Sequence, residues 1–401
     1  MLIPSKRPRI ALITHNLSEG GGTATLVTFL YRVLTESGRY SPEIISLATS
    51  ASDSASVRLL APDSWFHGPL AQSRKWSGLP FRHVGSYLAE FEFQRYQPRA
   101  VLERILEKYD LLQFAVGVPP WVCVAGGLKK PVLLWTATTV WADRAARVRH
   151  ATLPRRQWMQ FMATIAQIYE RRALQRADFV FALSEYTFDK IKRFVASERV
   201  GLAFCGVDTE RFSPSKHPEG EYILCVSRLA DARKNVSLLL QAYADLAGRS
   251  VSLPYLYIVG GQPPNSILQW VSELGIADRV RILGTQDERE LADLYRNAQF
   301  FVLPSDEEGL GIVILEAMAS GLPVVSTRCG GPETIVLDGE TGLLTPVGDA
   351  QALADAMTQL IEDPGLRQRM GEAGRQHAVE RFSLGVTGKV FLDRYEDLLG
   401  E

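Results

Sequence analysis

Glu308 and Glu316 flank a short glycine-containing turn and the start of an apolar run. The pattern from Gly311 onward predicts a helix, with Glu308 just before it and Glu316 about 7 Å further along its axis. The first turn of a helix offers free N–H groups to an anion, and carboxylates accept hydrogen bonds from hydroxyl pairs. A nucleotide diphosphate-sugar, whose ribose and sugar lie on opposite sides of two phosphates, fits this arrangement.

Arg228 and Lys234 supply the cations that such a ligand needs. Arg228 follows a short apolar run at 222–226, and Lys234 lies in the polar segment after it. A guanidinium offers a planar pair of donors and an ammonium offers a point charge, so together they can neutralise a diphosphate. Arg233 precedes Lys234 directly and remains an alternative as the second cation.

Short apolar runs alternate with amphipathic segments along the chain, which predicts doubly wound α/β sheets with helices on both faces. The predicted strands are 9–14, 43–47, 111–114, 132–135, 179–183, 222–226, 255–259, 280–283, 300–303 and 323–326. The predicted helices are 23–34, 99–108, 157–177, 237–246, 288–297, 312–320, 350–362, 366–380 and the last twenty residues.

A segment rich in Gly, Pro and Ser at 201–218 predicts a linker. We therefore predict an amino-terminal Rossmann-like domain of residues 1–205, completed by a carboxyl-terminal helix at 385–401. A second Rossmann-like domain would comprise residues 206–384. Ligands are expected in a cleft between the carboxyl ends of the two sheets.

Glycines follow several predicted strands. A run after the first strand can bring backbone amides close to a phosphate, although a plain turn explains it equally well; it comprises Gly20, Gly21 and Gly22. The amides before and at the start of the predicted helix are further candidates for donor contact: Gly309, Leu310, Gly311 and Ile312. Candidates for contact with a nucleotide base end strands at one sheet edge: Gly260, Gly261, Gly284 and Thr285.

These segments resemble a known family. Residues 305–325, which contain EGLG and EAMASGLPVV, resemble the E-x7-E motif of retaining GT-B glycosyltransferases, in particular glycosyltransferase family 4. Arg228 and Leu229 followed by Lys234 resemble the family's R-L-x(n)-K signature with one additional loop residue. The loop CGGPE at 329–333, the interdomain segments at 184–187 and 206–214, and RFS at 381–383 also match. The resemblance covers nearly all of the second domain and scattered parts of the first.

The resemblance implies a GT-B fold, with two Rossmann-like domains facing each other across a cleft. It implies retaining transfer of a hexosyl group from a nucleotide diphosphate-sugar, UDP- or GDP-linked, to a glycan, lipid-linked or small-molecule acceptor. It further implies no cofactor and no obligatory metal, and the sequence has no D-x-D motif. The implied catalytic residues are Arg228 and Lys234 at the leaving diphosphate and Glu308 at the donor sugar. Glu316 would hold the ribose, and Gly21 and Gly22 would lie opposite the donor phosphates.

The acceptor side departs from the family pattern. Many relatives carry a histidine after the strand predicted here at 132–135, whereas this sequence reads TATTVW at 136–141. That histidine therefore has no counterpart. The remaining candidates for acceptor contact are His15, Thr138, Thr139 and Asp143. Helix capping by the threonines or Asp143, and a purely structural role for His15, are the alternatives.

Charge is distributed unevenly along the chain. Residues 1–205 contain 27 Lys+Arg and 16 Asp+Glu, although the whole chain has a net charge of −1. The near-zero total argues against a nucleic-acid partner. The basic half suggests that one domain faces an anionic surface or substrate, and drift in surface composition is the alternative. One stretch predicts peripheral contact with an anionic membrane, the alternative being a solvated helix with a buried aromatic stripe. It contains Arg144, Arg147, Arg149, Arg155 and Arg156 beside Trp141, Trp158, Met159 and Phe161.

The chain shows no signal peptide, no apolar run of membrane-spanning length and no clustered cysteines. These features predict a cytoplasmic protein, either free or peripheral on the inner face of the membrane, and they indicate no metal site. The oligomeric state is not predicted. A GT-B glycoside phosphorylase, a nucleotide-sugar epimerase and a non-catalytic nucleotide-sugar-binding protein remain alternative functions. Catalysis is favoured because paired cations and carboxylates organise both sides of the bond that breaks.

Overall fold

The computed structural model describes residues 7–15, 17, 21–149, 152–215, 220–248 and 253–400. The chain divides into two compact units. One comprises Met1–Cys205 with Gly388–Glu401, and the other comprises Gly206–Thr387. Each unit is built on its own sheet.

The sheet of the first unit contains strands β1 Arg9–His15, β2 Ser41–Leu47, β3 Ala71–Trp76, β4 Leu79–Val84, β5 Leu111–Val116, β6 Val132–Thr136, β7 Phe179–Ala182 and β8 Val200–Leu202. Their order is β3-β4-β2-β1-β5-β6-β7-β8, and only the β3–β4 pair is antiparallel among the described strands. The helices are α1 Gly22–Ser37, α2 Glu92–Arg95, α3 Ala100–Leu106, α4 Val140–Arg149, α5 Leu153–Arg176 and α6 Glu185–Ile191. A 3-10 helix spans Pro119–Ala125.

The second unit has parallel strands β9 Tyr222–Val226, β10 Tyr255–Val259, β11 Val280–Gly284, β12 Phe300–Leu303, β13 Val324–Thr327 and β14 Gly342–Thr345. Their order is β11-β10-β9-β12-β13-β14, which is the Rossmann order 3-2-1-4-5-6. The helices are α7 Val236–Ala247, α8 Asn265–Glu273, α9 Glu288–Asn297, α10 Ile312–Ala319, α11 Pro332–Ile335, α12 Ala350–Glu362 and α13 Pro364–Phe382. The last helix, α14 Leu384–Leu399, passes from this unit into the first.

Every strand that the sequence predicts is present, with ends that differ by a few residues. β5 and β6 show why the strands could be predicted. All of their residues are buried, and a strand covered on both faces is a continuous apolar run in the sequence. The sequence analysis missed the β3–β4 hairpin, whose turn residues Ser77 and Gly78 both have positive φ. Nor did the sequence predict α2, α6, α8, α11 or β14. The linker predicted at 201–218 overlaps β8, Val200–Leu202, which pairs with β7, so the linker prediction is wrong for Gly201 and Leu202.

The last helix completes the core of the first unit. Phe391 is fully buried, and its ring lies 4.7 Å from the ring centroids of both Trp135 and Phe181. Tyr395, also fully buried, donates a hydrogen bond to Gln113 Oε1 at 2.9 Å. These contacts explain why the apolar side chains of α14 group with the first sheet.

Candidate functional site

The loops after β9 and β12 meet at the centre of the second sheet. These strands are neighbours although a long segment separates them in sequence, so the sheet has its topological switch point there. Lys234 Nζ donates to Glu308 Oε1 at 2.5 Å, and Ser305 Oγ donates to the same oxygen at 2.7 Å. The side chains of Lys234 and Glu308 are only 14% and 10% exposed. The structure therefore brings together one predicted cation and one predicted carboxylate.

The loop after β9 gives its two adjacent cations different partners. Arg233 donates to both oxygens of Asp231 and, at 2.8 Å, to Glu307 Oε2. Burial alone would raise the pKa of Asp231, but the hydrogen bonds and charge of Arg233 hold it well below its usual range. Arg233 is thus committed to local carboxylates. Arg228 contacts Asp231 at 3.0 Å, yet its side chain remains 55% exposed.

A second set of contacts fixes this loop against the one after β12. Asn235 adopts a left-handed conformation, with φ of 43°, and its side-chain oxygen accepts from Leu238 N at the start of α7. Its side-chain nitrogen donates to Asp306 Oδ1 at 2.8 Å. Asp306 N also donates to the carbonyl of Arg233 at 2.7 Å. The positions of Lys234 and Glu308 are therefore set by side chains and backbone on both sides.

The CGGPE loop pairs directly with the loop that carries Glu308. Glu308 and Gly330 form a parallel bridge, and Gly331 N donates to Glu308 O at 3.0 Å. A Cβ atom on Gly331 would lie 2.5 Å from backbone atoms of Leu310, so the close approach requires glycine. Glu333 accepts from Gly330 N at 2.9 Å and closes the loop. This loop supports Glu308 through its backbone.

α10 begins at the predicted position. Gly311 occupies the N-cap with φ of 88°, and no side chain caps the first turn, where Ile312 is the first helical residue. Gly309 and the buried Leu310 lead into it. A helix start without a side-chain cap leaves its N–H groups directed toward an external acceptor.

Glu316 lies partly buried within α10. Tyr295 OH on α9 donates to Glu316 Oε2 at 2.9 Å. Burial raises the pKa of Glu316 to about 7, although the hydrogen bond from Tyr295 opposes this shift. The carboxyl group is therefore divided between its neutral and ionised forms near neutral pH.

The glycines predicted to contact a nucleotide base differ in their surroundings. A Cβ atom on Gly260 would lie 2.0 Å from the carbonyl oxygen of Ser227, so Gly260 is required for packing. Gly261 and Gly284 have open space where a Cβ atom would stand. Gly284 ends β11 with φ of 70°, and Thr285 follows it.

In the first unit, the acceptor-side candidates gather near the end of β1. The ring of His15 stacks on Trp121 at 4.8 Å with an interplanar angle of 13°. Burial lowers the pKa of His15 to about 4, against the opposing charge of Asp143, so the imidazole is neutral at pH 7. Thr138 is 5% exposed, and Thr139 Oγ1 rather than Thr138 accepts from Ala142 N in α4.

The glycine run after β1 leads into α1. Gly21 occupies the N-cap with φ of 88°, and Gly22 is the first helical residue, again without a side-chain cap. Gly20 lies outside the described residues. A Cβ atom on Gly22 would meet open space.

Three residues that contact the predicted site residues were not predicted from the sequence. They are Ser305, Tyr295 and Trp121, which contact Glu308, Glu316 and His15. Ser305 precedes Glu308 by three positions, which is a usable signal. Tyr295 and Trp121 come from other elements, and only the packing of those elements brings them to the site.

The stretch of arginines and aromatic residues at 141–161 does not form the buried aromatic stripe that was one of its two interpretations. Trp141, Trp158 and Phe161 are 48%, 57% and 58% exposed, so a buried aromatic stripe is wrong for these residues. Arg144 pairs with Glu92 and is buried, whereas Arg155 and Arg156 are exposed. The side chains of Arg147 and Arg149 lie outside the described residues.

The described part of the chain has neither a cluster of metal-binding side chains nor a membrane-spanning helix. It contains no group of three or more His, Cys, Asp or Glu side chains placed to hold a metal ion. Nor does any of its helices combine the length and apolar character that a membrane crossing requires.

Two protein-family models match the chain. Residues 207–377 match the family described as Glycosyl transferases group 1, and residues 20–211 match the one described as Glycosyltransferase Family 4. The chain belongs to the group 1 glycosyltransferases. Both units of this glycosyltransferase-family chain thus have a matching family model, as the sequence motifs predict.

Curated relatives of this group 1 chain match it over part of their length. It is 32% identical over 254 residues to the D-inositol 3-phosphate glycosyltransferase of Corynebacterium urealyticum, covering 58% of this chain and 59% of the relative. It is 34% identical over 247 residues to the GDP-mannose-dependent alpha-(1-6)-phosphatidylinositol monomannoside mannosyltransferase of Mycolicibacterium smegmatis, covering 57% and 64%. The match therefore spans less than two thirds of either relative.

Solved structures resemble the whole chain in fold. Sucrose-phosphate synthase from Thermosynechococcus elongatus has a TM-score of 0.77 at 22% identity, with 98% of this chain and 100% of that chain covered. Anabaena HepE in complex with UDP and glucose has a TM-score of 0.72 at 18% identity, with 98% and 100% covered. Together with the strand orders, these likenesses confirm the predicted GT-B fold of two Rossmann-like units.

Proposed function

We propose that this chain is a retaining, metal-independent hexosyltransferase that uses a UDP- or GDP-linked sugar. The observation that carries the proposal is the contact between Lys234 and Glu308 at the switch point of the second sheet. A cation for a leaving diphosphate and a carboxylate for a sugar lie side by side there. Membership of the group 1 glycosyltransferases supports this reaction class. The complexes of HepE with UDP and with UDP-glucose support the donor class.

In the proposed reaction, an acceptor oxygen bonds to the anomeric carbon on the face from which the diphosphate departs. The bond between that carbon and the phosphate oxygen breaks, and its electron pair stays with the diphosphate. The acceptor proton passes to the departing phosphate oxygen. Lys234 and the exposed Arg228 stabilise the charge that develops on the diphosphate. Glu308 orients the sugar through its hydroxyls and does not act as a general base.

The remaining residues hold the two ends of the donor. The amides at the start of α10 face the diphosphate, with Gly311 keeping the first turn open. Glu316 accepts hydrogen bonds from the ribose hydroxyls. Gly284 contributes backbone contact to the base.

The acceptor is a hydroxyl compound held by the first unit. A neutral His15 can accept a hydrogen bond from that hydroxyl, and Asp143 and Thr138 are its neighbours in the proposed site. The names of the relatives support inositol phosphates and phosphatidylinositol mannosides as the first acceptors to test, beside simple glycosides.

The experiment combines a thermal-shift screen of UDP- and GDP-sugars with turnover assays on those acceptors. We expect one donor to raise the Tm, nucleoside diphosphate to be released, and the product to keep the anomeric configuration by NMR, with and without EDTA. Sugar phosphate released only with free phosphate would indicate a phosphorylase. Epimerised donor without an acceptor would indicate an epimerase, and stabilisation without turnover a binding protein. Loss of activity in EDTA that magnesium or manganese restores would contradict metal independence.

A further inference from the structure

α5 carries apolar side chains on two opposite faces. The inner face is buried and includes Met162, Ala163, Ala166, Ala173 and Leu174. Trp158, Phe161, Ile165 and Ile168 follow one another at intervals of three, four and three residues, which places them on the other side of the helix. We call Leu153, Trp158, Phe161, Ile165 and Ile168 the outer face of α5. The inner face alone accounts for the packing of α5 in the first unit.

Four of the five residues of the outer face are exposed, and Ile165 is half-buried. Phe161 is 58% exposed and Ile168 is 51% exposed. All residues from 152 to 158 are exposed, including Leu153 at 74%. The first two turns of α5 therefore bury no side chain in the first unit. Short helical turns gain little stability by themselves in water, and contiguous exposed apolar surface is typical of an interaction site.

The charged residues of this part of the sequence are all basic. No acidic residue occurs between Asp143 and Glu170. Arg155 and Arg156 lie in the first turn of α5, which has neither an acidic residue nor a side-chain cap. Helices usually carry acidic side chains there because the helix dipole makes this end positive. The arginines add to that positive potential, so the start of α5 attracts an external anion.

We propose that the outer face of α5 docks on an anionic lipid bilayer. Trp158, Phe161 and Leu153 would lie at the boundary between headgroups and acyl chains, and Arg155 and Arg156 would meet lipid phosphates. The 24-residue helix would lie parallel to the membrane plane. This inference is independent of the proposed enzymatic reaction, because it rests on exposure and charge within the first unit alone.

A second copy of the chain fits the same surface less well. An antiparallel pair of α5 helices would bring Arg155 and Arg156 of one copy toward Arg171 and Arg172 of the other, and a parallel pair would set like against like. The acid nearest in sequence, Glu170, lies on the inner face and accepts a hydrogen bond from Val140 N at 2.8 Å. A bilayer supplies both the apolar layer and the negative charge that this surface lacks.

The test is cosedimentation of the full chain with vesicles of phosphatidylglycerol and phosphatidylcholine, compared with pure phosphatidylcholine. We expect binding to the anionic vesicles that weakens as salt increases. Arg155→Gln with Arg156→Gln should weaken binding about 30-fold. Trp158→Ser with Phe161→Ser should weaken it about tenfold or more. Because these four side chains are exposed, the Tm of both variants should match that of the wild type.

The matched control is Leu268→Ser with Trp270→Ser on α8 of the second unit, where the side chains are 50% and 39% exposed. This variant should bind vesicles as the wild type does. Absence of binding to anionic vesicles at low salt, equal binding to neutral vesicles, or unchanged binding by the α5 variants would overturn the proposal. A dimer in light scattering that Trp158→Ser with Phe161→Ser dissociates would overturn it in favour of a second copy.

Discussion

Lys234 Nζ lies 2.5 Å from Glu308 Oε1, although 74 residues separate the two in the sequence. Both side chains are largely buried, and each neutralises the charge of the other. Removal of one partner leaves a buried charge without compensation, whereas removal of both leaves none. Stability and catalysis should therefore respond differently to single and double substitutions at this pair.

Lys234→Met should lower the free energy of unfolding by about 3 kcal/mol, because Glu308 then keeps a buried charge. It should also lower kcat about 100-fold or more through loss of charge stabilisation at the diphosphate. Lys234→Met with Glu308→Gln should regain most of the stability and none of the activity. Urea unfolding and steady-state kinetics measure the two effects. Recovery of activity in the double variant would refute the catalytic role of Lys234.

Glu316 should make stability depend on pH. Burial raises its pKa from 4.5 to about 7, so the folded protein retains a proton that the unfolded chain releases in this range. Its contribution to stability is complete below pH 4.5 and is lost as the pH rises through about 7. Glu316→Gln, which resembles the protonated form, should therefore gain stability relative to the wild type between pH 5 and pH 8. The gain should not exceed about 3 kcal/mol in urea unfolding. A difference that stays constant from pH 5 to pH 8 would show that the carboxyl group is ionised throughout this range.

Donor binding should follow the same titration in the opposite sense. An ionised carboxylate accepts hydrogen bonds from both ribose hydroxyls, whereas the neutral acid accepts less strongly. The affinity for a nucleotide sugar should thus rise from pH 6 to pH 8, as measured by calorimetry. Glu316→Gln should bind with an affinity that does not change over this range. A pH dependence that persists in this variant would assign the titration to another group.

Gly331→Ala should destabilise the second unit by about 3 kcal/mol, because the new Cβ atom would lie 2.5 Å from the backbone of Leu310. The loop that carries Glu308 must then move, so activity should fall together with the Tm. Gly385→Ala is the control, since its Cβ atom meets open space and α14 should gain up to about 1 kcal/mol. Equal Tm values for Gly331→Ala and the wild type would show that the two loops separate easily.

Phe391→Ala should cost about 4 kcal/mol, because its fully buried ring packs against Trp135 and Phe181. The neighbouring Val390 is 39% exposed, so Val390→Ala should change stability by less than about 0.5 kcal/mol. Differential scanning calorimetry compares the two. Similar losses from both substitutions would mean that α14 contributes through the helix as a whole rather than through this ring.

The sequence was sufficient for the fold because parallel strands buried on both faces, such as β5 and β6, leave a clear apolar signal. It also located Glu308 and the start of α10, since glycines on both sides of Leu310 mark the turn. It could not separate Lys234 from Arg233. The structure gives the two cations different partners, Glu308 for Lys234 and the carboxylates of Asp231 and Glu307 for Arg233.

Other features depend on tertiary contacts that no local pattern encodes. Tyr295 reaches Glu316 from α9, and Trp121 reaches His15 from a 3-10 helix between two strands. The sequence does not reveal the outer face of α5 for another reason. Apolar residues on two opposite sides of a helix cancel the amphipathic signal, so the sequence alone does not tell which side is buried.

The bridge between Glu308 and Gly330 has a consequence for recombining this protein with its relatives. The two loops share backbone hydrogen bonds, and Gly331 leaves no room for a side chain against Leu310. A crossover point placed between residues 311 and 328 would join loops of different ancestry at this contact. Chimaeras that inherit 305–333 from one parent should keep this loop contact intact, whereas those that divide it should displace Glu308.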